Sequence, residues 1–403
     1  MLSKTRILVR HLFLPNPGGG RETIEAYERA FAERVGSACC AGFWKGRVAF
    51  FAVLKALGIG PGDEVVMPGY TCVAVPAAVR FLGAVPVFVD IEPVYCTLDP
   101  DLLAAAITPG TRAVVIQHTY GYPSAGLDRV MELCRSRGLP VIEDCCHALG
   151  TRLGGRHVGT FGAAGFFSTQ WSKPYTTGLG GLLVCGDRDL HDRVCRLRDA
   201  EAVSPSGRSA AQLALQNILH ALLVYPWTTA IAREAYRGLT RRGIITGSTG
   251  KVENLRWSPE YFKRMCAVQA AAGLHELGRI AEALEHRRRV TEYYLSALTE
   301  ACWRIPLPVH DAEVALLRVP VRVGNKDEVL RIADTRRVEI GDWFIRPLHS
   351  RLTAQEVFGY VPGQCPQAEK AAREVINLPN HSRVSLGCAK RIVAFLRETC
   401  RPA

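Results

Sequence analysis

The sequence lacks the marks of a secreted, metal-stapled or membrane-spanning chain. No two cysteines stand as a CxxC pair, so a zinc knuckle or a dithiol redox motif is not expected. The 14 cysteines lie singly inside apolar segments (Cys134, Cys185, Cys266, Cys302) or as adjacent pairs (Cys39-Cys40, Cys145-Cys146). They read as small buried hydrophobes in a reducing cytoplasm. Met1–Gly20 has no continuous apolar core and no small-residue cleavage site, so a secretory signal is not expected. Repeats and low-complexity tracts are absent. Acid is scarce relative to base: 50 Lys and Arg against 38 Asp and Glu leave a formal charge of +12. The excess is mostly arginine, clustered at Arg241-Arg242 and Arg287-Arg288-Arg289. Such clusters serve as solvated helix faces, or attract phosphorylated substrates or an anionic membrane surface. Nucleic acid is not an expected partner, because no basic stretch is interleaved with aromatics.

What is present is enough to bury a large core: 403 residues, 48% hydrophobic and 22% charged. That length implies two units. Strands are expected at Asp63–Pro68, Val85–Val89, Ala113–Gln117, Leu139–Glu143, Gly165–Ser168 and Gly181–Cys185. Helices are expected at 23–36, Val48–Leu57, Thr71–Leu82, Leu98–Ala106 and Leu127–Ser136. Short apolar strands alternating with helices imply an α/β fold, a large mostly parallel sheet with helices on both faces. Chemistry in such sheets gathers at the strands' carboxyl ends, where Asp90, His118, Asp144 and Ser168 stand. Residues 1–250 form the expected large unit. Residues 251–403 form a smaller α+β unit with one long helix or two joined ones over Arg264–Leu298. A strand at Ala315–Val321 and helices at Lys326–Arg336, Pro366–Glu374 and Ala389–Thr399 complete it.

Two residues carry the chemistry. Lys173 follows an apolar run by a few residues and precedes a Thr/Gly-rich loop, Thr176-Thr177-Gly178-Leu179-Gly180-Gly181. A lysine amine so placed can form a Schiff base with an aldehyde. Upstream, Val141-Ile142-Glu143-Asp144 reads as a buried strand ending in a carboxylate. Pyridoxal 5'-phosphate needs both groups: an amine for its aldehyde and an acid for its pyridine nitrogen.

These residues resemble the DegT/DnrJ/EryC1/StrS family of pyridoxal-phosphate-dependent sugar aminotransferases. The resemblance rests on Ile142-Glu143-Asp144-Cys145-Cys146-His147-Ala148-Leu149-Gly150 followed by Ser168 and Lys173, and runs from about residue 35 to the C-terminus, weakest at 200–255. It implies the aspartate-aminotransferase fold (fold type I) and a homodimer with shared active sites. It also implies pyridoxamine 5'-phosphate as the aminated cofactor, a donor such as glutamate and a keto-sugar acceptor. By the same resemblance Lys173 holds the cofactor and moves the proton, Asp144 pairs with the ring nitrogen, and His147 contacts the ring oxygen. Ser168, with Gly46, Arg47 and Val48 at a helix start, binds the phosphate. No metal is implied.

Several positions depart from the family's pattern. Thr71-Cys72 stands where an aromatic usually stacks on the ring, so either Cys72 faces it or Tyr70 substitutes. Leu179 replaces an acid in the loop after the lysine. Tyr261-Phe262-Lys263-Arg264-Met265 lacks the amide that reaches the partner's phosphate, and Arg47 or Lys263 compensates in charge. Gln269-Ala270-Ala271, Arg346-Pro347-Leu348-His349 and Leu378-Pro379-Asn380-His381 continue the match. The apolar departures leave open an acceptor less polar than a nucleotide-linked sugar, or lipid-linked. Dehydrating relatives typically carry His in place of the lysine, so Lys173 argues against that reaction. The rival of another class is a non-catalytic binding or regulatory protein on this scaffold.

Residues 204–250 read as an apolar helical insertion. Within Ala211–Tyr225, Gln212, Gln216 and His220 form one polar stripe at a spacing of four, and Pro226 ends the run. The segment is too polar for a membrane span. With Arg233, Arg237, Arg241 and Arg242 behind it, residues 205–242 can lie on a membrane surface, pack in a subunit interface or line the substrate entrance.

Overall fold

The computed structural model describes residues 19–223, 238, 255–300, 303, 305–307, 310–350 and 355–401. Helix α1 (Gly19–Val35) leads into β1 (Cys39–Phe43), and the short link Trp44-Lys45 leads into α2 (Gly46–Ala56). Then come β2 (Glu64–Pro68), the short strand β3 (Thr71–Cys72), α3 (Ala74–Phe81), β4 (Val85–Val89), α4 (Pro100–Ala106) and β5 (Thr111–Gln117). Helix α5 (Leu127–Ser136), β6 (Val141–Asp144), β7 (Arg152–Leu153), β8 (Arg156–His157), β9 (Ala164–Ser168) and β10 (Gly181–Cys185) follow.

One sheet of seven strands, in the order β1-β10-β9-β6-β5-β2-β4, organises this half. Strands β9, β6, β5, β2 and β4 run parallel, and β10 is antiparallel to both of its neighbours. The interior strands are continuous apolar runs (Val65-Val66-Met67, Ala113-Val114-Val115-Ile116) that are buried throughout. Both faces of a parallel sheet are covered, so alternation is lost. Local signals set the helix starts: Asp99 accepts from the Asp101 amide with proline at the first helical position, fixing α4.

Helices α6 (Arg188–Glu201) and α7 (Gly207–Leu223) lead to α8 (Ala267–Leu277) and α9 (Ile280–Thr299). Of the two forms expected over 264–298, the chain takes two joined helices, separated at Gly278-Arg279. Beyond them lie β11 (Ala312–Glu313), β12 (Val319–Arg322), α10 (Lys326–Thr335), β13 (Leu348–His349), α11 (Pro366–Glu374), β14 (Val375–Leu378) and α12 (Leu386–Thr399). Strands β12 and β14 pair antiparallel. Tyr70, Tyr120 and Tyr122, on loops leaving the carboxyl ends of β2 and β5, share one core with Tyr294, Leu316, Phe344, Leu348 and Phe358. The C-terminal elements therefore cover the sheet edge where strand-end side chains project.

Two expectations change. Thr71 and Cys72 are not the first turn of a helix. They pair in parallel with Leu348 and His349, and the Thr71 amide donates to Pro347 O at 2.9 Å. That tertiary pairing overrides local propensity. Neither Asp90 nor His118 joins Asp144: the Asp90 carboxylate accepts from the Gln367 and Ala368 amides and so caps α11, and the His118 ring is taken up by Glu143 and the Ser124 amide. On α7, Leu215 and Leu219 face outward while Gln216 and Asn217 are buried. Pro226, Arg233, Arg237, Arg241 and Arg242, with the rest of 224–237 and 239–242 in the expected membrane-surface segment, lie outside the described residues. No helix among the described residues is long and apolar enough to cross a membrane.

Candidate active site

Strand β6 splits its two carboxylates between opposite faces, as alternating side chains require. Glu143 is saturated: it takes amide hydrogens from Gly159 (2.6 Å) and Gly162 (2.7 Å) and meets His118 Nε2 at 2.9 Å. The Ser124 amide donates to His118 Nδ1, so the imidazole proton sits on Nε2 and points at Glu143. Cys145 lies in the same buried cluster. Asp144 turns the other way and accepts from the Cys146 amide at 2.9 Å. Burial pushes its pKa up, against the pull of that amide and of Lys173 and His118.

Lys173 sits on the loop joining β9 to β10, and this loop is stapled rather than loose. The Thr169 amide donates to Gly180 O, the Thr177 amide to Thr169 O, and the two threonine hydroxyls meet at 2.7 Å. From outside, Asn217 Nδ2 donates to Thr177 O (3.0 Å) and Gln269 Nε2 to Leu179 O (2.6 Å). Leu179 itself is buried against Trp44 and Leu213. The Lys173 ammonium lies 5.4 Å from the Trp343 ring centroid. It acts electrostatically on Asp144, His147 and Cys72, so these side chains lie near its amine.

His147 follows β6 by one turn and is buried. Burial, with Lys173 and Arg318 nearby, holds its pKa well below the usual imidazole range. The Tyr120 amide donates to its Nδ1 at 3.3 Å. Tyr120 adopts φ 58°, left-handed for a bulky residue. Its hydroxyl donates to Trp343 O (2.7 Å) and meets Tyr70 Oη (2.9 Å), which accepts from the Phe344 amide (3.1 Å). Tyr70 is therefore fully committed to the core, which leaves Cys72 as the nearer of the two to Lys173 and Asp144. Its thiol, raised in pKa by burial, feels Arg47, Lys173 and Asp144.

Helix α2 starts against Ser168: a Cβ on Gly46 would stand 3.1 Å from both Phe167 O and Ser168 Cβ. The amides of a helix's first turn have no carbonyl above them. Here the Val48 amide turns onto Lys45 O at 3.0 Å, so the amides of Gly46 and Arg47 lead this helix start. Three basic side chains, Lys45, Arg47 and Lys263, gather beside it. Burial, then Arg47 and Lys263, push the Lys45 pKa well below its ordinary value. Lys263 also reaches the Trp44 ring and Glu260.

A cavity of about 600 Å³ opens beside Lys173, lined among others by Arg279, Arg287, Arg318, Arg383, His220 and His381. Arg287 is anchored to Leu317 O and Asn380 Oδ1, and burial lowers its pKa to about 10. His220, on α7, brings the expected insertion to the cavity lining and lies tilted against Trp171, with 5.0 Å between ring centroids. Lys45, Tyr120, Arg318 and Trp343 were not legible as site residues from sequence. Only Lys45 carried a signal, its adjacency to Gly46-Arg47.

Residues 19–216 and 231–397 match the DegT/DnrJ/EryC1/StrS aminotransferase family. The L-glutamine:scyllo-inosose aminotransferase of Streptomyces griseus is 46% identical over 180 residues, a match spanning 44% of this chain and 42% of that protein. The GDP-perosamine synthase of Caulobacter vibrioides is 29% identical over 394 residues, covering 94% of this chain and 90% of that one. The structure of S. venezuelae DesV, solved in complex with a ketimine intermediate, superposes with a TM-score of 0.76 at 27% identity, over 98% of this chain and 94% of the other. The strand-end acid, the loop lysine and this match across nearly the whole described chain make the protein a member of the DegT/DnrJ/EryC1/StrS aminotransferase family, with that family's α/β fold.

Proposed function

We propose that the protein is a pyridoxal-phosphate-dependent aminotransferase that takes an amino group from an amino-acid donor, glutamate or glutamine, and gives it to the carbonyl of a keto-sugar or related cyclic polyol. The carrying observation is that Lys173 lies close enough to Asp144 and His147 to act on both, while Gly46 packs on Ser168 at a helix start where Lys45, Arg47 and Lys263 gather. The donor set fits the cofactor: an amine for an aldehyde, an acid for a ring nitrogen, and a cationic nest with no room for a Cβ at Gly46. When bound, the cofactor supplies the aldehyde that accepts an amino group and the ring that withdraws electrons from the reacting carbon.

Lys173 holds the cofactor through its amine and, once released, moves the proton at the reacting carbon. Asp144, buried and raised in pKa, keeps its charge best opposite a cation. It therefore holds the ring nitrogen protonated. His147 is neutral at physiological pH, and the Tyr120 amide occupies its Nδ1, so it presents Nε2–H as a donor to the ring oxygen. Gly46, Arg47, Lys45 and Ser168 bind the phosphate, with Val48 contributing to the helix start rather than through a dedicated amide. Cys72 lies on the ring's flank.

The cationic lining of the cavity beside Lys173 favours oxygen-rich or anionic substrates over a lipid-linked carbonyl. The free thiols throughout the described chain fit a reducing cytoplasm. The outward leucines of α7 fit contact with a second copy in a homodimer. Purified protein given pyridoxal phosphate should develop a visible absorbance band that glutamate or glutamine bleaches. Borohydride should fix the cofactor covalently to Lys173. A chain that stays colourless, or a Lys173→Ala protein that still traps cofactor with borohydride, contradicts the reading.

A further inference from the structure

We propose that the indole of Trp343 closes over the cofactor ring and supplies the aromatic contact that Cys72 is too short to make; this rests on the reading of Lys173 and Asp144 as the cofactor's two anchors. Trp343 is only partly buried, whereas its neighbours Tyr70, Tyr120 and Phe344 are buried. Its ring lies 5.4 Å from the Lys173 ammonium, the atom that would carry the cofactor. It runs nearly parallel to His147, with 5.4 Å between centroids and 14° between planes. The Arg318 guanidinium, which lines the open cavity, lies 5.0 Å from the same ring. The indole therefore stands where the cavity meets the amine.

Its orientation is built in. Asn377 Oδ1 accepts from the Trp343 amide at 2.7 Å, and the Tyr120 hydroxyl donates to its carbonyl at 2.7 Å. Tyr70 ties Tyr120 to the next amide, that of Phe344. A backbone clamped on both sides aims the side chain before any ligand arrives, which is what a preorganised contact requires. On the other flank, Cys72 offers one sulfur where a planar ring needs a face. An offset-stacked indole gives such a face.

The test measures pyridoxal phosphate affinity and the cofactor's visible circular dichroism in the full chain carrying Trp343→Ala, Trp343→Phe, or Cys72→Phe together with Trp343→Ala. Trp343→Ala should bind the cofactor roughly tenfold more weakly, with a diminished visible dichroic band. Trp343→Phe should stay near wild type, and Cys72→Phe should restore affinity to the Trp343→Ala chain. A coloured wild type whose Trp343→Ala variant binds equally well with an unchanged band overturns this inference and leaves the function standing. Equal losses in Trp343→Ala and Trp343→Phe, with no recovery from Cys72→Phe, make Trp343 a packing residue and also overturn it. A colourless wild type removes the function and the inference together.

Discussion

The backbone amide of Tyr120 donates to Nδ1 of His147 at 3.3 Å, and this one contact decides which imidazole nitrogen carries the proton. Tyr120 can aim its amide there because it holds φ 58° and is followed by Gly121, where a Cβ would stand 2.7 Å from Ala315 O. The imidazole is thereby a fixed donor through Nε2. His147→Gln keeps a donor and should retain activity within about tenfold, whereas His147→Leu should lose roughly 10- to 100-fold in kcat and shift the visible cofactor band, in line with a lost hydrogen bond to a charged oxygen. Because burial and Lys173 hold the His147 pKa well below 6.5, its protonation should not limit activity between neutral pH and that value. An acid limb at about 6.5 that disappears in His147→Gln would show an ordinary, solvated imidazole instead.

Asp144 should cost the cofactor-free protein stability. Burial raises its folded pKa above 3.8, so the native state binds a proton more readily than the unfolded chain does. Between 3.8 and the raised value, stability then falls as pH rises, and the deficit persists at neutral pH. Asp144→Asn should raise the melting temperature of the cofactor-free protein at pH 7 and flatten that pH dependence, while abolishing amino transfer. A melting temperature lowered by the substitution would mean that the carboxylate is well solvated or paired before the cofactor arrives.

The sheet and the lysine–acid pair were legible because both are local. Runs such as Ala113-Val114-Val115-Ile116 need only be apolar and short, and Asp144 and Lys173 sit at or just beyond the ends of segments that sequence alone delimits. Helix α6 carries no such signal because only Leu190 and Val194 of its residues are buried, too thin a stripe to register a period. Trp343 and Tyr120 were invisible for a different reason. Their place in the pocket depends on the C-terminal elements folding back over the carboxyl ends of β2 and β5, and no spacing encodes that. Asp90 shows the converse: a strand-end carboxylate at a promising position is a helix cap once α11 arrives.

Lys45, Arg47 and Lys263 should make the cofactor-free protein respond to simple anions. Burial and the other two cations depress the Lys45 pKa, so its charged form is disfavoured in the folded state. For a base depressed in this way, the unfolded chain holds the extra proton, and stability rises with pH from the lowered pKa up to 10.5. An oxyanion among the three groups should relieve that cost. Millimolar inorganic phosphate should raise the melting temperature at pH 7 by a few degrees and weaken its pH dependence, and Lys45→Ala should remove most of the response. An equal phosphate effect in Lys45→Ala would locate the anion elsewhere.

Gly181 sets the distance between the lysine loop and the helix start at Gly46. It opens β10, and a Cβ there would lie 2.2 Å from the carbonyl carbon and oxygen of Lys45 and 2.4 Å from the Gly46 nitrogen. These are backbone atoms, so no side-chain rotation relieves the clash. Relief requires the helix start to lift off the paired residues Gly181 and Ser168, the second of which Gly46 also meets closely. Gly181→Ala should therefore destabilise the fold by about 1–3 kcal/mol, the usual cost of overpacking, and weaken cofactor binding beyond what the lower stability explains. Gly60 provides the control, since a Cβ there meets nothing within 4 Å. Gly60→Ala should change the melting temperature little and the cofactor affinity not at all. Denaturant unfolding together with cofactor titration checks both, and wild-type affinity in a destabilised Gly181→Ala chain would uncouple the β10 start from the phosphate end.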